Sequence, residues 1–183
     1  MISDRIARSQ IILSGPAIDQ TGAGWAIAER SMQVALELAS IVHEGQVDKA
    51  DEPIINHVAR VVDAVSKQVR GMEYRDRAIA VSAAWLHDTV EDGDVDIWAI
   101  DHVFPAGVGI IVRLLTRNPE DTYAEYISKI AKADASISYY DTARLIKRAD
   151  LFDNRFRGKL PASMEQRYDR ALEVLGRNDW RGR

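Results

Sequence analysis

AAWLHDTVEDG, residues Ala83–Gly93, begins as helix core and ends as a cluster of charge. Ile79, Ala83, Leu86 and Val90 recur at i, i+4, i+7 and i+11, the spacing of one buried face of an α-helix. The same run then delivers an imidazole and three carboxylates, His87, Asp88, Glu91 and Asp92. A helix continued from Arg75 to Val90 sets Glu91 one turn beyond His87 and Asp92 one turn beyond Asp88, on one face beside the apolar stripe. A solvated acidic helix end is the plainest account of such a group. It has one weakness: acids at a helix C-terminus oppose the macrodipole, which favours cations there. A positive group lying against them, such as a metal ion, would offset that cost.

Helical spacing continues in both directions. Upstream, a helix is expected from about Trp25 to His43, with Val34, Leu38, Ile41 and Val42 on its apolar side. Ile54, Val58, Val61 and Val65 mark another, opened by Pro53. Downstream, shorter helices cover Val95–Val103 and Ala106–Leu115, parted at Pro105, then Tyr123–Ala133. Asp141–Phe156 carries Leu145, Ala149, Phe152 and Phe156 as its core stripe, and Ser163–Leu175 follows Pro161. A short helix and the flexible stretch Gly15–Gly24 precede them all. No segment alternates as a strand does, so the expected fold class is all-α, a single helical bundle. Residues 1–24 form an N-terminal extension and residues 25–183 the domain.

Composition narrows the function classes. The 183 residues suit one well-cored domain, and 46% hydrophobic with 28% charged residues is the balance of a soluble globular protein. A net charge of −4 gives no reason to expect nucleic-acid binding. There is no cysteine, which excludes disulfides, thiolate metal sites and a cysteine nucleophile. No apolar run approaches the ~18 residues of a membrane span, and no secretory signal opens the chain, so a cytoplasmic protein without membrane contact is expected.

Two further segments carry chemistry. In LIKRADLFDNRFRGK (Leu145–Lys159), a helical wheel puts Lys147, Asp150, Asn154 and Arg157 in one sector opposite the core stripe. Alone, that is an ordinary charged face. In PIINH, His57 flanks the apolar side of its helix, where a histidine is more often a hydrogen-bonded boundary residue than a ligand. His43 and His102 take the same bland reading. Together the segments mean more. Two histidines and two aspartates make a compact shell for a divalent cation. Without thiolate, that shell points to Mn²⁺, Fe²⁺ or Zn²⁺ rather than calcium, with Mg²⁺ suited to its carboxylate oxygens. Glu91 and Asp92 could then orient a water and take its proton, and the cations near Asp150 would suit an anionic, phosphate-bearing substrate.

The ordered set of motifs resembles the HD-domain metal-dependent phosphohydrolases, specifically the hydrolase domain of RelA/SpoT homologues and the stand-alone small alarmone hydrolases. HEGQVDKADEPIINH (His43–His57) is similar to that family's opening segment, WLHDTVEDG to its HDxxED block, and IKRADLFDN to its closing aspartate motif. VFPAGVGIIVRLLT follows the block as in the family, with Pro105 where a glycine is usual. The resemblance spans about Trp25 to Asn154. It implies an HD-domain bundle in which His57, His87, Asp88 and Asp150 bind one metal ion, Mn²⁺ first among the candidates. It implies that Glu91 and Asp92 activate the attacking water and that Asn154 contacts substrate near the ribose, with Lys49, Lys147 and Arg157 as further substrate contacts. The implied reaction is removal of the 3′-pyrophosphate from (p)ppGpp, and the implied partner is a small phosphorylated nucleotide.

The departures concern substrate. Asp48-Lys49 stands where the family usually carries Arg-Lys, and Ile54 and Val58 replace an aromatic residue and a proline. Asp48 is expected to repel an anionic nucleotide, with Arg155 and Arg157 supplying compensating phosphate contacts. Hydrolysis of another nucleotide or phosphate ester is therefore the alternative, and a nucleotide sensor without turnover is a third reading. The native substrate, the metal loaded in the cell, the role of residues 1–24 and assembly into a homo-oligomer stay open.

Overall fold

Proline sets where three helices begin. Pro53, Pro105 and Pro161 each occupy an N-cap, with φ of −54°, −52° and −57° and an extended ψ. The ring holds φ near the helical value, and its missing N–H forfeits nothing where no intrahelical partner exists. The computed structural model describes residues 2–15, 24–48, 51–93, 95–134 and 138–176. Among these the elements are α1 (Ile2–Leu13), α2 (Gly24–Val42), α3 (Ile54–Gln68), α4 (Tyr74–Leu86), α5 (Ile97–Val103), α6 (Ala106–Leu115), α7 (Tyr123–Lys132), α8 (Ser138–Phe156) and α9 (Ala162–Val174). Extended pairing among the described residues is limited to one isolated antiparallel bridge, Val47 with Pro53. The expected all-α class is what the chain adopts.

α4 lies at the centre, packed against α2, α3, α6 and α8. Beyond its first turn, where Arg75 and Asp76 are exposed, Ala78, Ile79, Ala80, Ser82, Ala83, Ala84 and Leu86 are all buried. Small residues in α4 and in α2 (Ala28, Ala35, Ala39) permit close approach, and Ser31 and Ser82 share a buried hydrogen bond of 2.9 Å across the pair. Val58, Val61 and Val65 of α3 are fully buried, as their spacing requires. α1 packs on α2 and α5, with Leu13 in the core and Arg8 paired to Glu44. No helix among the described residues is long and apolar enough to cross a membrane.

Two expectations change. The first is the end of α4, which stops at Leu86 instead of running to Val90. The ring Nδ1 of His87 donates to Ala84 O at 2.8 Å, and Thr89 donates to Leu86 O through both Oγ1 (2.8 Å) and its backbone N (3.1 Å). These bonds occupy carbonyls that a continuing helix would have used, so the motif folds as a self-capped turn. The second is the face of α8. Ala149 is buried, but Leu145 and Phe152 are half-buried and Phe156 is 52% exposed. Ala143, Ile146 and Leu151 supply core in their place. α8 touches α3, α4, α6, α7 and α9, so a wheel with one dry side does not describe it, and its polar sector turns inward.

Gly93 closes the turn after α4. A Cβ there would stand 2.5 Å from Val42 Cγ1 and 2.8 Å from Thr89 O. Gly93→Ala is expected to destabilise the fold by about 1–3 kcal/mol, the usual penalty of overpacking. Urea denaturation would show it as a lower midpoint at unchanged slope.

Candidate metal centre

Three helices deliver the site. His57 comes from the first turn of α3, His87 and Asp88 from the turn capping α4, and Asp150 from the middle of α8. His57, His87 and Asp150 are buried, and the Asp88 side chain is 23% exposed, so the cluster opens to solvent on the Asp88 side. One donor atom from each of the four lies within 4.8 Å of all the others. Ligand bonds of about 2.1 Å put neighbouring donors roughly 3–4 Å apart, so small side-chain shifts would close this set on an ion.

Hydrogen bonds select which nitrogens face inward. His87 gives its Nδ1 proton to Ala84 O, and the His57 Nδ1 lies 2.7 Å from Asp153 Oδ2. The Nε2 atoms of both rings are buried and make no hydrogen bond. They lie instead against carboxylates, His57 Nε2 at 3.3 Å from Asp150 Oδ1 and His87 Nε2 at 3.0 Å from Asp88 Oδ2. Buried polar atoms are nearly always hydrogen-bonded, so two imidazole nitrogens that face carboxylates without hydrogen-bond geometry fit a cation held between them. The donor set, without thiolate, suits a divalent transition ion.

Charge is dense here. Burial works against ionisation of Asp150, but Lys147 and the two imidazoles overcome it and hold the carboxyl well below the ordinary range. Lys147 Nζ lies 2.8 Å from Asp150 Oδ2 and 5.1 Å from the centre of the Tyr126 ring, and Asn154 donates to Asp150 Oδ1. Burial likewise opposes a charged His57, yet Asp150 and Asp153 hold its pKa up at about 10. The expected outward-facing sector of α8 thus points into the site, and Lys147 and Asn154 both engage the aspartate.

The remaining expected residues divide. Glu91 and Asp92 sit at the exposed rim. Glu91 accepts the Arg117 backbone N–H, whereas the Asp92 backbone carbonyl accepts Gln46 Nε2 at 3.0 Å. Partial burial, then the charges of Asp88 and Glu91, push the Asp92 carboxyl up to about 6. Arg157 reaches Asp48 and, at 2.9 Å, Glu52, while Arg155 pairs with Asp169 and Glu165. Asp48 also caps the Glu52 backbone N–H at 3.0 Å, so its charge is answered within the chain. Lys49 lies outside the described residues.

Four residues near the site escaped sequence reading. Asp153 holds His57, and Arg60 holds Asp153. His57/Arg60 on α3 and Asp150/Asp153 on α8 are both i, i+3 pairs, so facing the two helices would have matched them. His43, read as a boundary residue, is 1% exposed; its Nδ1 meets Gln46 Oε1 at 2.8 Å and its buried Nε2 has no hydrogen bond. Burial lowers its pKa, which leaves a neutral ring beside the cluster. Arg117 lines a cleft of ≈ 380 Å³ with Thr116, Asn118, Tyr126 and Lys129. Its guanidinium makes no hydrogen bond or ion pair among the described residues.

No protein-family model matches the chain, and no curated protein matches its sequence. A solved structure does. It is a metazoan orthologue of SpoT that hydrolyses ppGpp and plays a role in starvation responses, similar with a TM-score of 0.63 at 23% sequence identity, over 80% of this chain and 85% of that one. The fold is that of a SpoT-type hydrolase. The resemblance carried by the three motifs therefore holds at the level of architecture.

The charge on His57 makes a pH prediction. With its pKa near 10, His57 is protonated at neutral pH, and a metal ligand must be neutral at Nε2. Binding of a divalent ion would therefore expel protons, and affinity for it should rise with pH. Calorimetry in buffers of different ionisation enthalpy should give buffer-dependent heats; identical heats and a pH-independent affinity would contradict it.

Proposed function

We propose that the chain is a metal-dependent phosphohydrolase, a 3′-pyrophosphohydrolase of (p)ppGpp. The observation that carries this reading is the pair of buried Nε2 atoms, neither in a hydrogen bond, set against two carboxylates, in a fold shared with a ppGpp hydrolase. His57, His87, Asp88 and Asp150 would hold the ion, Mn²⁺ before Fe²⁺, Zn²⁺ or Mg²⁺. A bound divalent ion supplies Lewis acidity toward a phosphoryl oxygen and acidifies a water.

The protein's own groups do the rest. Lys147 and Asn154 each fasten one oxygen of Asp150, which fixes its orientation. Asp92, with its pKa at about 6, is ionised at neutral pH yet basic enough to take a proton from water. Glu91, one residue away, ties the rim to the segment of Arg117 and is the second carboxylate that would orient the water and take its proton. Arg117, with its guanidinium free, would receive phosphate oxygens in the cleft beside Tyr126. Attack by water on the 3′-linked phosphorus breaks its bond to the ribose 3′-oxygen, releasing pyrophosphate and GDP or GTP.

A second reading has its own support. Arg157, a substrate contact by resemblance, is engaged by Asp48 and Glu52, and Lys147 by Asp150. Fewer free cations would suit another nucleotide or a phosphate monoester. Metal-stripped protein incubated with ppGpp, with and without Mn²⁺, separates the readings once products are resolved by ion exchange. Pyrophosphate and GDP appearing only with Mn²⁺ is the expected result. Orthophosphate from a nucleoside monophosphate, with ppGpp untouched, would favour the alternative.

Variants test the roles. His87→Ala and Asp88→Ala should lose both metal content and turnover. Glu91→Gln should keep its metal and lose roughly 10²–10⁴ in rate, the size of a missing general base. Full activity in Glu91→Gln would remove Glu91 from the mechanism.

A further inference from the structure

We propose that Asp153 and Arg60 are positioning residues for His57, fixing which ring nitrogen is offered to the metal; this rests on the metal reading above. The His57 ring has two nitrogens and only one can point into the cluster. Nδ1 lies 2.7 Å from Asp153 Oδ2, and Nε2 is the buried atom without a hydrogen bond. A carboxylate accepts but cannot donate, so the proton between Asp153 and His57 belongs to Nδ1. Once the ring is neutral, the lone pair offered to a ligand is then on Nε2, the nitrogen that faces Asp88 and Asp150.

Asp153 is itself held from two directions. Arg60 grips it as a fork, Nε to Oδ1 at 2.8 Å and a terminal nitrogen to Oδ2 at 3.2 Å. Planar, two-pronged contact of this kind sets a carboxylate's angle as well as its place. The other Arg60 terminal nitrogen reaches Glu52 Oε1 at 2.7 Å, and Glu52 Oε2 takes Arg157 at 2.9 Å. Arg157 closes the series on Asp48 and approaches Asp153 Oδ2 at 3.8 Å. Acids and arginines alternate from the surface loop at Asp48 to the back of His57. A partner behind a ligand histidine fixes its tautomer and raises its basicity, and losing such a partner typically weakens metal binding about 10–100-fold.

The test reads metal binding, not turnover. Zn²⁺ serves as a diamagnetic probe for the full chain, with affinity from chelator competition and ring tautomers from ¹⁵N-histidine NMR. In the zinc-loaded wild type, His57 should carry its proton on Nδ1 in slow exchange with solvent. Asp153→Asn should bind Zn²⁺ about 10–100-fold more weakly and lose that protected proton. Arg60→Gln alters a side chain that is 38% exposed, so it serves if Asp153→Asn does not fold, and it should weaken binding in the same direction. Affinity equal to wild type in either folded variant, or His57 found with its proton on Nε2, overturns the proposal while the metal site stands. A wild type that binds no Zn²⁺ overturns both.

Discussion

Two carboxylates and two imidazoles at the crossing of α3, α4 and α8, all but Asp88 buried, are the constraint to which the surrounding structure answers. Isolated charge in an apolar interior is too costly to persist without partners. Lys147 and Asn154 on Asp150, Asp153 behind His57 and the Ala84 carbonyl behind His87 each answer one member of the group. Both imidazoles turn the same nitrogen inward, because each has its other nitrogen engaged. The core around them is packed from small and β-branched residues, which lets three helices come close enough to share one centre.

The rim is built as carefully as the centre. The turn after Leu86 caps its own helix through His87 and Thr89, so Asp88 projects from a short rigid segment instead of a fraying helix end. Gln46 links that turn to the loop after α2, with its amide N–H on the Asp92 carbonyl and its oxygen toward His43. The same loop carries Asp48 and returns through the Val47–Pro53 bridge to α3. Loop, turn and helix are thus connected around the open side of the cluster. Asp48, which looks like an obstacle to an anionic substrate in the linear chain, is a loop anchor in the folded one, tied to Arg157 and the Glu52 backbone.

Local signals and long-range ones differ in what they carry. Apolar spacing is a property of one helix against its own axis, so Val58, Val61 and Val65 are legible wherever α3 ends up. The four clustered residues are legible in part because His87 and Asp88 share a short motif and Asp150 sits in another. The sector of α8 holding Lys147 and Asp150 reads as an outer face, because a wheel assumes one buried side. α8 has neighbours on several sides, which no single-helix pattern encodes. Asp153 is invisible for the same reason: its partners, His57 and Arg60, belong to another element.

The sequence by itself determined the class of fold, the placing of most helices and the four residues, His57, His87, Asp88 and Asp150, that the fold brings into one cluster. Period, proline punctuation and short-range motif spacing are local physics, decided within a few turns of chain. Only the tertiary structure decided which nitrogens face the centre, which cations are already engaged and which acid stands behind His57. Those outcomes depend on α3 lying against α8 and on where α4 ends. Burial then forces each charge to find the partner that packing puts within reach.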